Sequence, residues 1–320
     1  MPEKIAVLDT GYESFQYEQE LFTSNGFNFE IFDGEKGDVE GKMRFASDAV
    51  GLMIRWTEVN EKFLGRMSNL KAIVRYGVGY ENVDLKACTN ANVHVSNVQG
   101  YCNHAVSDHA LALMLALHRM LSTGKRIIID QFGAPPSGNI KELHEMILGI
   151  VGLGRIGSTM SKKVKNLFKS VVAYDPYIAD EQFEKAEAEK VEFNTLLSSS
   201  DIISLHCNLT ETSERLIDRN AFIQMAKHPI LINTARGPVV DQHAMIDALN
   251  EGWITAAGID VFNTELAAQL PLDIINHPKV MATGHYAWYS ERSQRELQRR
   301  AADNLLSMLN GNQPDDCLNP

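Results

Sequence analysis

The chain has 320 residues, of which 44% are apolar, and this length predicts two globular domains of ordinary size. Its formal net charge of −11 argues against nucleic acid or an anionic membrane as the main partner. The longest apolar run, Ala110 to Leu117, is too short to span a bilayer. The four cysteines show no paired spacing, and His104 and His109 do not share a helix face, so we expect no disulfide and no metal site. The N-terminus has no signal-peptide pattern, and we therefore expect a cytoplasmic protein.

Short apolar runs alternate with helical stretches through residues 1–101. The predicted strands are Lys4–Asp9, Phe27–Phe32, Val50–Ile54, Ala72–Val74 and Val93–Ser96. The predicted helices include Ser14–Asn25, Glu61–Met67 and Val83–Thr89. Alternation at this spacing is typical of parallel strands joined by crossover helices, so this segment predicts a small doubly wound α/β domain.

A stretch from Ala105 to Leu121 is apolar on nearly every face and predicts a helix buried on several sides between two domains. Residues 131–139 contain two prolines and two glycines and predict a loop. A second α/β domain follows from Met146. Its predicted strands are Met146–Val151, Ser170–Tyr174, Ile202–Leu205, Ile230–Asn233, Thr255–Ile259 and Val280–Ala282, with helices over Ser158–Phe168, Asp180–Glu192, Arg219–Ala226 and Asp241–Glu251. In the final predicted helix, Ser290–Leu309, Ser293 and Glu296 form a capping-box pattern and Gly311 marks the stop.

The run Gly152-Leu153-Gly154-Arg155-Ile156-Gly157 lies between the first strand and the first helix of this second domain. The first glycine permits a tight turn, the second lets the backbone approach a pyrophosphate, and the third lets the helix pack closely on the strand. A helix N-terminus also presents free N–H groups to the phosphates. In this context the run predicts a dinucleotide site rather than a bare glycine-rich turn.

Asp175 follows the next strand, 18 residues after Gly157. A carboxylate at this spacing accepts hydrogen bonds from the ribose hydroxyls and repels a 2′-phosphate. Pro176 and Tyr177 supply no compensating positive charge. We therefore predict NAD rather than NADP as the cofactor.

Three polar residues follow later strands of the same domain: Arg236, Glu265 and His285. Ligands of open α/β sheets bind at the carboxyl ends of the strands. There an arginine can bind a carboxylate through two hydrogen bonds, a histidine can exchange a proton, and a glutamate beside it can favour the imidazolium. Singly, each residue is equally consistent with a structural role, as a strand-end cap, a loop carboxylate or a packed histidine. Their joint placement favours catalysis.

Several of these motifs, in this order, resemble the NAD-dependent D-isomer-specific 2-hydroxyacid dehydrogenases, a family that includes phosphoglycerate dehydrogenase-like and C-terminal-binding-protein-like members. The resemblance is strongest from Ala72 to Ala287. It rests on the glycine run and on the segments 75–84, 205–210, 233–237, 258–265 and 283–285. It implies a Rossmann NAD domain, residues 102–287, inserted into a flavodoxin-like substrate domain, residues 1–101 plus 288–320. It also implies a homodimer acting on a small 2-hydroxy or 2-oxo acid.

The resemblance also implies residue roles. Arg236 would bind the substrate carboxylate and carbonyl, His285 would be the acid/base, and Glu265 its partner. The implied substrate contacts are Arg75, the N–H groups of Val78 and Gly79, and Tyr101. The implied cofactor contacts are Gly152, Gly154, Arg155, Ile156, Gly157, Asp175, His206, Asn208, Ser213, Thr234, Ala235, Arg236, Asp260 and His285.

Some positions depart from the family pattern. Prolines common in the family are replaced by Gln99, Asn208, Leu266 and Gly284, and a common threonine by Ala110. None of these replacements removes a catalytic group, although glycine before His285 predicts a looser loop. Two other functions share this scaffold: an NAD(H)-sensing corepressor with little turnover, and a dehydrogenase of formate or phosphite. The acidic charge favours a 2-hydroxyacid dehydrogenase over the corepressor.

Overall fold

The computed structural model describes residues 2–121, 140–264 and 269–319. The chain divides into two compact units. The first comprises Met1–Tyr101 and Ser290–Pro320, and the second comprises Cys102–Tyr289. Trp288 and Tyr289, for which the resemblance implies the substrate domain, are grouped with the second unit. The predicted loop 131–139 lies outside the described residues. No helix among the described residues is long and apolar enough to cross a membrane.

The first unit is built on a five-stranded parallel sheet in the order β2-β1-β3-β4-β5, the flavodoxin-like arrangement. Its strands are β1 Lys4–Val7, β2 Asn28–Ile31, β3 Ala49–Ile54, β4 Ala72–Arg75 and β5 His94–Ser96. Its helices are Gln16–Ser24, Val39–Ala46, Glu61–Leu64, Leu85–Asn90 and Glu291–Leu309. All six residues of β3 are buried. The long C-terminal helix packs on β3 and β4, which explains why the end of the chain belongs to this unit.

The second unit is built on a seven-stranded parallel sheet in the order β12-β11-β10-β9-β6-β7-β8. Its strands are β6 Ile147–Val151, β7 Ser170–Tyr174, β8 Glu189–Lys190, β9 Ile202–Leu205, β10 Ile230–Asn233, β11 Ala256–Ile259 and β12 Val280–Ala282. Its helices are Asn103–His118, Arg155–Val164, Asp180–Ala186, Phe193–Ser199, Arg219–Gln224, Gln242–Glu251 and Leu272–Ile275, with 3₁₀ turns at Leu143–Glu145 and Gly237–Val239. The strand order reverses at β6 and β9, which is the switch point where nucleotides bind in Rossmann folds.

Apolar side chains cover both faces of the second sheet. Along β9, Ile202 joins the core on one face, while Ile203 joins the core on the other. Strands of sheets buried on both faces are continuous apolar runs. This explains why most strands of this domain could be predicted from the sequence. The predicted class, two doubly wound parallel α/β domains, is confirmed.

The helix Asn103–His118 replaces the predicted helix Ala105–Leu121. Within its own unit it packs on β10, β11 and the helix Arg155–Val164. Ala110 and Met114 are fully buried there, in agreement with the prediction that the helix is buried on several sides.

Two local predictions were wrong. The acidic stretch 180–192 is not one helix, because the helix Asp180–Ala186 ends at Glu187, whose backbone is left-handed (φ +58°), and Glu189–Lys190 then pairs with β7. The capping box of the C-terminal helix is formed by Ser290 and Ser293 rather than by Ser293 and Glu296. The Ser293 N–H donates to Ser290 Oγ (3.1 Å), and the Ser290 N–H donates to Ser293 Oγ (2.8 Å).

Candidate active site

The glycine turn connects β6 to the helix Arg155–Val164. Gly152 has φ +86°, and a Cβ there would lie 2.5 Å from the backbone nitrogen of Cys207. A Cβ on Gly157 would lie 2.1 Å from the Gly152 carbonyl oxygen, whereas one on Gly154 would meet nothing within 4 Å. The first and third glycines therefore permit the turn and the close packing of helix on strand. The second leaves open space beside the helix N-terminus.

Asp175 follows β7, and its carboxylate is held by backbone groups. Its Oδ2 accepts a hydrogen bond from the Leu153 N–H (2.9 Å) in the glycine turn, and its Oδ1 accepts one from the Tyr177 N–H (3.0 Å). Each carboxylate oxygen has a further lone pair. The arrangement fixes the carboxylate beside the glycine turn and leaves acceptor capacity for the two hydroxyls of a ribose.

A cleft of about 330 Å³ lies at the switch point, within the usual range of roughly 300–1,000 Å³ for small-molecule sites. Its lining includes Gly152, Gly154, Tyr174, Asp175, Tyr177, His206, Cys207, Asn208, Thr212 and Ser213. The cleft therefore brings together six residues that the sequence assigned to the cofactor: two glycines, Asp175, His206, Asn208 and Ser213.

His206 lies at the end of β9 with its Nε2 2.9 Å from Ser204 Oγ. Burial lowers its pKa to about 4, so the ring is neutral near physiological pH. Its buried Nδ1 contacts no hydrogen-bond partner among the described residues. The Ser213 hydroxyl also makes hydrogen bonds within its own loop. Its hydroxyl donates to the Asn208 carbonyl (2.6 Å) and accepts from the Thr210 N–H (2.8 Å), which shapes the loop that lines the cleft.

Tyr177 and Thr212 also line the cleft, although the sequence pattern predicted no role for either residue. Their hydroxyl oxygens lie 2.6 Å apart. The position of Tyr177, two residues after Asp175, was the available signal. No sequence signal indicated Thr212, because only the tertiary structure brings its loop close to β7.

Arg236 follows β10, where Asn233 organises the turn. Asn233 accepts from the Ala235 N–H (3.0 Å) and donates to the Arg236 carbonyl (3.0 Å), and Arg236 Nη1 donates to the Ala235 carbonyl (2.8 Å). Gly237 is obligatory, because a Cβ there would lie 2.1 Å from the Phe262 carbonyl carbon. The segment after β10 thus lies directly against the segment after β11.

His285 follows β12, the neighbour of β11, and has a left-handed backbone (φ +55°). Asp260, at the end of β11, is 1% exposed and accepts hydrogen bonds from the loop that carries His285. The buried hydroxyl of Thr234 makes no hydrogen bond among the described residues. Arg236 and His285 therefore lie at the carboxyl ends of strands in one neighbouring set, β10-β11-β12, with Asp260 between them in the sheet. Glu265 lies outside the described residues.

The predicted substrate contacts of the first unit also lie after a strand. Arg75 ends β4 and donates through Nη1 to the Tyr76 carbonyl (2.8 Å). Asn97 donates to the Val78 carbonyl (2.6 Å) and so holds the turn. Within residues 2–121, the N–H groups of Val78 and Gly79 donate to no backbone carbonyl. Tyr101 is half-buried and is the last residue of the first segment of this unit.

The second unit satisfies the requirements of a bound dinucleotide. An open glycine position at a helix N-terminus suits a pyrophosphate, and a fixed carboxylate suits a ribose. The buried atoms His206 Nδ1 and Thr234 Oγ1 have no hydrogen-bond partner within residues 2–121, 140–264 and 269–319. Together with the strand order, these features define a dinucleotide-binding domain of the dehydrogenase class.

Comparisons with known proteins identify the family. Residues 111–287 match the family described as D-isomer specific 2-hydroxyacid dehydrogenase, NAD binding domain. Over 276 residues the chain is 33% identical to a glyoxylate reductase of Thermococcus litoralis, with 82% of this chain and 81% of the relative covered. It is 32% identical over 302 residues to glyoxylate/hydroxypyruvate reductase B of Serratia proteamaculans, with 92% of each covered. The structure of an Escherichia coli D-lactate dehydrogenase superposes with a TM-score of 0.82 at 28% identity, covering 98% of this chain and 99% of that one.

The chain therefore belongs to the D-isomer specific 2-hydroxyacid dehydrogenase family. It is an oxidoreductase with NAD as its cofactor, as the glycine turn and Asp175 predicted. The similarity to these enzymes supports a dehydrogenase function over the corepressor alternative.

Proposed function

We propose that this chain interconverts a small 2-oxo acid and the corresponding D-2-hydroxy acid, with NADH as reductant and NAD as oxidant. The observation that carries the proposal is the shared location of Arg236 and His285 at the carboxyl ends of β10 and β12, the two strands that flank β11. Asp260, at the end of the intervening strand, holds the loop of His285.

When bound, the nicotinamide supplies a hydride to the substrate's C2 or accepts one from it. The Arg236 guanidinium binds the substrate carboxylate through two hydrogen bonds and polarises the adjacent carbonyl. In the reductive direction, the His285 imidazolium donates its proton to the oxygen on C2. In the oxidative direction, the neutral ring removes that proton. We assign Glu265 as the partner that favours the imidazolium.

Other side chains bind rather than react. We assign Val78 and Gly79 to the second face of the carboxylate through their N–H groups, and Arg75 and Tyr101 to the remainder of the substrate. This makes the first unit the substrate domain. The cofactor contacts comprise Gly152, Gly154, Arg155, Ile156, Gly157, Asp175, His206, Asn208, Ser213, Thr234, Ala235, Arg236, Asp260 and His285.

The test is an assay of NADH oxidation with a panel of 2-oxo acids that includes glyoxylate, hydroxypyruvate and pyruvate. We expect steady turnover with at least one of them and, from hydroxypyruvate or pyruvate, whose products are chiral, a D-configured product by chiral chromatography. NADH binding without turnover of any of them would contradict the enzyme and favour a sensor. An L-configured product would contradict the proposed D-stereochemistry.

We further propose a cytoplasmic homodimer, on the basis of the family resemblance and the scattered cysteines. Sedimentation equilibrium of the purified chain tests the oligomeric state. A measured mass equal to one protomer at micromolar concentration would contradict the homodimer.

A further inference from the structure

The loop Thr283–Ala287, which carries His285, is clamped onto Asp260. The His285 N–H donates to the Asp260 carbonyl (2.8 Å), and the N–H groups of Tyr286 (3.2 Å) and Ala287 (2.9 Å) donate to its carboxylate. The Thr283 hydroxyl donates to Asp260 Oδ1 (2.5 Å). One buried carboxylate therefore fixes the loop on both sides of His285.

The loop needs such support for two reasons. His285 has φ +55°, a conformation that costs free energy for a residue with a Cβ and persists only where the surroundings impose it. Gly284, directly before it, adds backbone freedom. Without external contacts, this segment would favour other conformations.

His109, on the helix Asn103–His118, supplies a second layer of support. Its Nε2 lies 2.9 Å from Thr283 Oγ1 and 3.7 Å from Asp260 Oδ1. Because the single hydroxyl proton of Thr283 goes to Asp260, Thr283 must accept from an Nε2–H group of His109. The His109 ring also packs edge-on against Tyr286, with 5.2 Å between the ring centroids. His109 thus contacts the loop on both sides of His285.

We propose that His109 is a positioning residue, which acts through Thr283 and Asp260 to hold the His285 loop in its catalytic conformation. The proposal rests on the proposed function, in which His285 exchanges the substrate proton. His109 itself touches neither substrate nor cofactor in this role. Its contribution is the orientation of the acid/base.

The first test separates orientation from binding. In His109→Leu, kcat should fall about 10- to 100-fold, the size of effect expected when a reacting group is misplaced by about 1 Å. The KM for NADH should change much less than kcat, because most of the assigned cofactor contacts, including the cleft at the glycine turn, lie outside the clamp. His109→Gln should recover most of the lost kcat, since its amide can donate to Thr283. The matched control is His118→Leu, which removes a buried histidine from the same helix and should leave kcat unchanged.

A double variant adds a readout that a merely structural role would not give. Thr283→Val removes the hydroxyl that links His109 to Asp260. If the two residues act through this contact, the double variant His109→Leu/Thr283→Val should lose no more kcat than the worse single variant. If the fold-loss in kcat of the double variant equals the product of the two single fold-losses, the two residues act independently, which would contradict the proposal that His109 acts through Thr283.

Amide hydrogen exchange measures the order of the His285 loop independently of enzyme activity. In His109→Leu, the N–H groups of His285, Tyr286 and Ala287 should exchange at least 10-fold faster than in wild type. In His109→Gln and His118→Leu they should not. Unchanged exchange in His109→Leu would overturn the proposal. Faster exchange in a protein that turns over no 2-oxo acid would support the clamp while refuting the proposed function, so the two failures are distinguishable.

Discussion

At the scale of single residues, His285 combines a strained backbone with a fixed position at the end of β12. As the proposed acid/base, it should dominate the chemical step. We expect His285→Ala to lower kcat by about two to four powers of ten, the usual contribution of general acid–base catalysis. Steady-state kinetics with NADH and the best 2-oxo acid measures this, and the exposed His243→Ala serves as control. A near-normal rate in His285→Ala would refute the assignment.

Arg236 should affect substrate binding and chemistry together. Its guanidinium grips the same carboxylate in the ground state and in the transition state, so Arg236→Ala should raise KM for the oxo acid and lower kcat. Arg236→Lys keeps the charge but loses the planar pair of donors and should recover only part of the activity. Full activity of the lysine variant would show that bidentate binding is not required.

Glu18, on the helix Gln16–Ser24, is a buried carboxyl outside the active site. Its Oε1 accepts from Tyr76 Oη and Gln298 Nε2 (both 3.0 Å), while its buried Oε2 makes no hydrogen bond among the described residues. Burial raises the pKa of Glu18, so the folded state favours the protonated form. Its stabilising effect is complete below the pKa of the unfolded chain and is lost as the pH rises through the folded pKa.

We therefore expect Glu18→Gln to raise the free energy of unfolding above that folded pKa, by on the order of 1 kcal/mol. Urea denaturation at pH 5 and pH 8 measures the difference from wild type, which should grow with pH. Glu20→Gln, an exposed glutamate on the same helix, is the control. If the difference in free energy of unfolding between Glu18→Gln and wild type became smaller as the pH rises, the expected direction of the Glu18 effect would be wrong.

At the scale of elements, the glycines differ in what their missing Cβ permits. Gly284 does not have a left-handed backbone, and a Cβ there would meet nothing within 4 Å. Gly284→Ala should therefore stabilise the protein by about 0.4–1 kcal/mol, because it restricts the unfolded chain without strain in the fold. Denaturant unfolding measures this. Gly157→Ala is the opposing control, since its Cβ would collide with the Gly152 carbonyl and should destabilise the turn.

Local sequence predicted most strands to within one or two residues, because parallel strands buried on both faces are continuous apolar runs. It failed where a long-range partner decides the structure. Glu189–Lys190 is strand only because β7 lies beside it. The C-terminal capping box was missed because serine, rather than glutamate or glutamine, occupies its third position.

At the scale of the whole molecule, cofactor selectivity should be visible as stability. A ligand at 100 times its Kd stabilises the folded state by about 2.7 kcal/mol. NADH should therefore raise the unfolding temperature clearly more than NADPH at equal concentration, because Asp175 repels a 2′-phosphate. Differential scanning calorimetry measures the two shifts in unfolding temperature. The variant Asp175→Ser should reduce the difference between the shift with NADH and the shift with NADPH. Equal shifts with the two cofactors in the wild-type protein would contradict the role of Asp175.

The sequence by itself determined the class of fold, the glycine turn, the position of the Asp175 carboxylate and the polar residues that follow β10 and β12. These are local signals, since each depends on residue type and spacing along a short segment. The tertiary structure alone decided which strands are neighbours, that His206 is neutral, and that Asp260 and His109 together hold the loop of His285. Such features arise from burial and from contacts between residues far apart in the chain, and the free energy of those contacts is not written in any one segment.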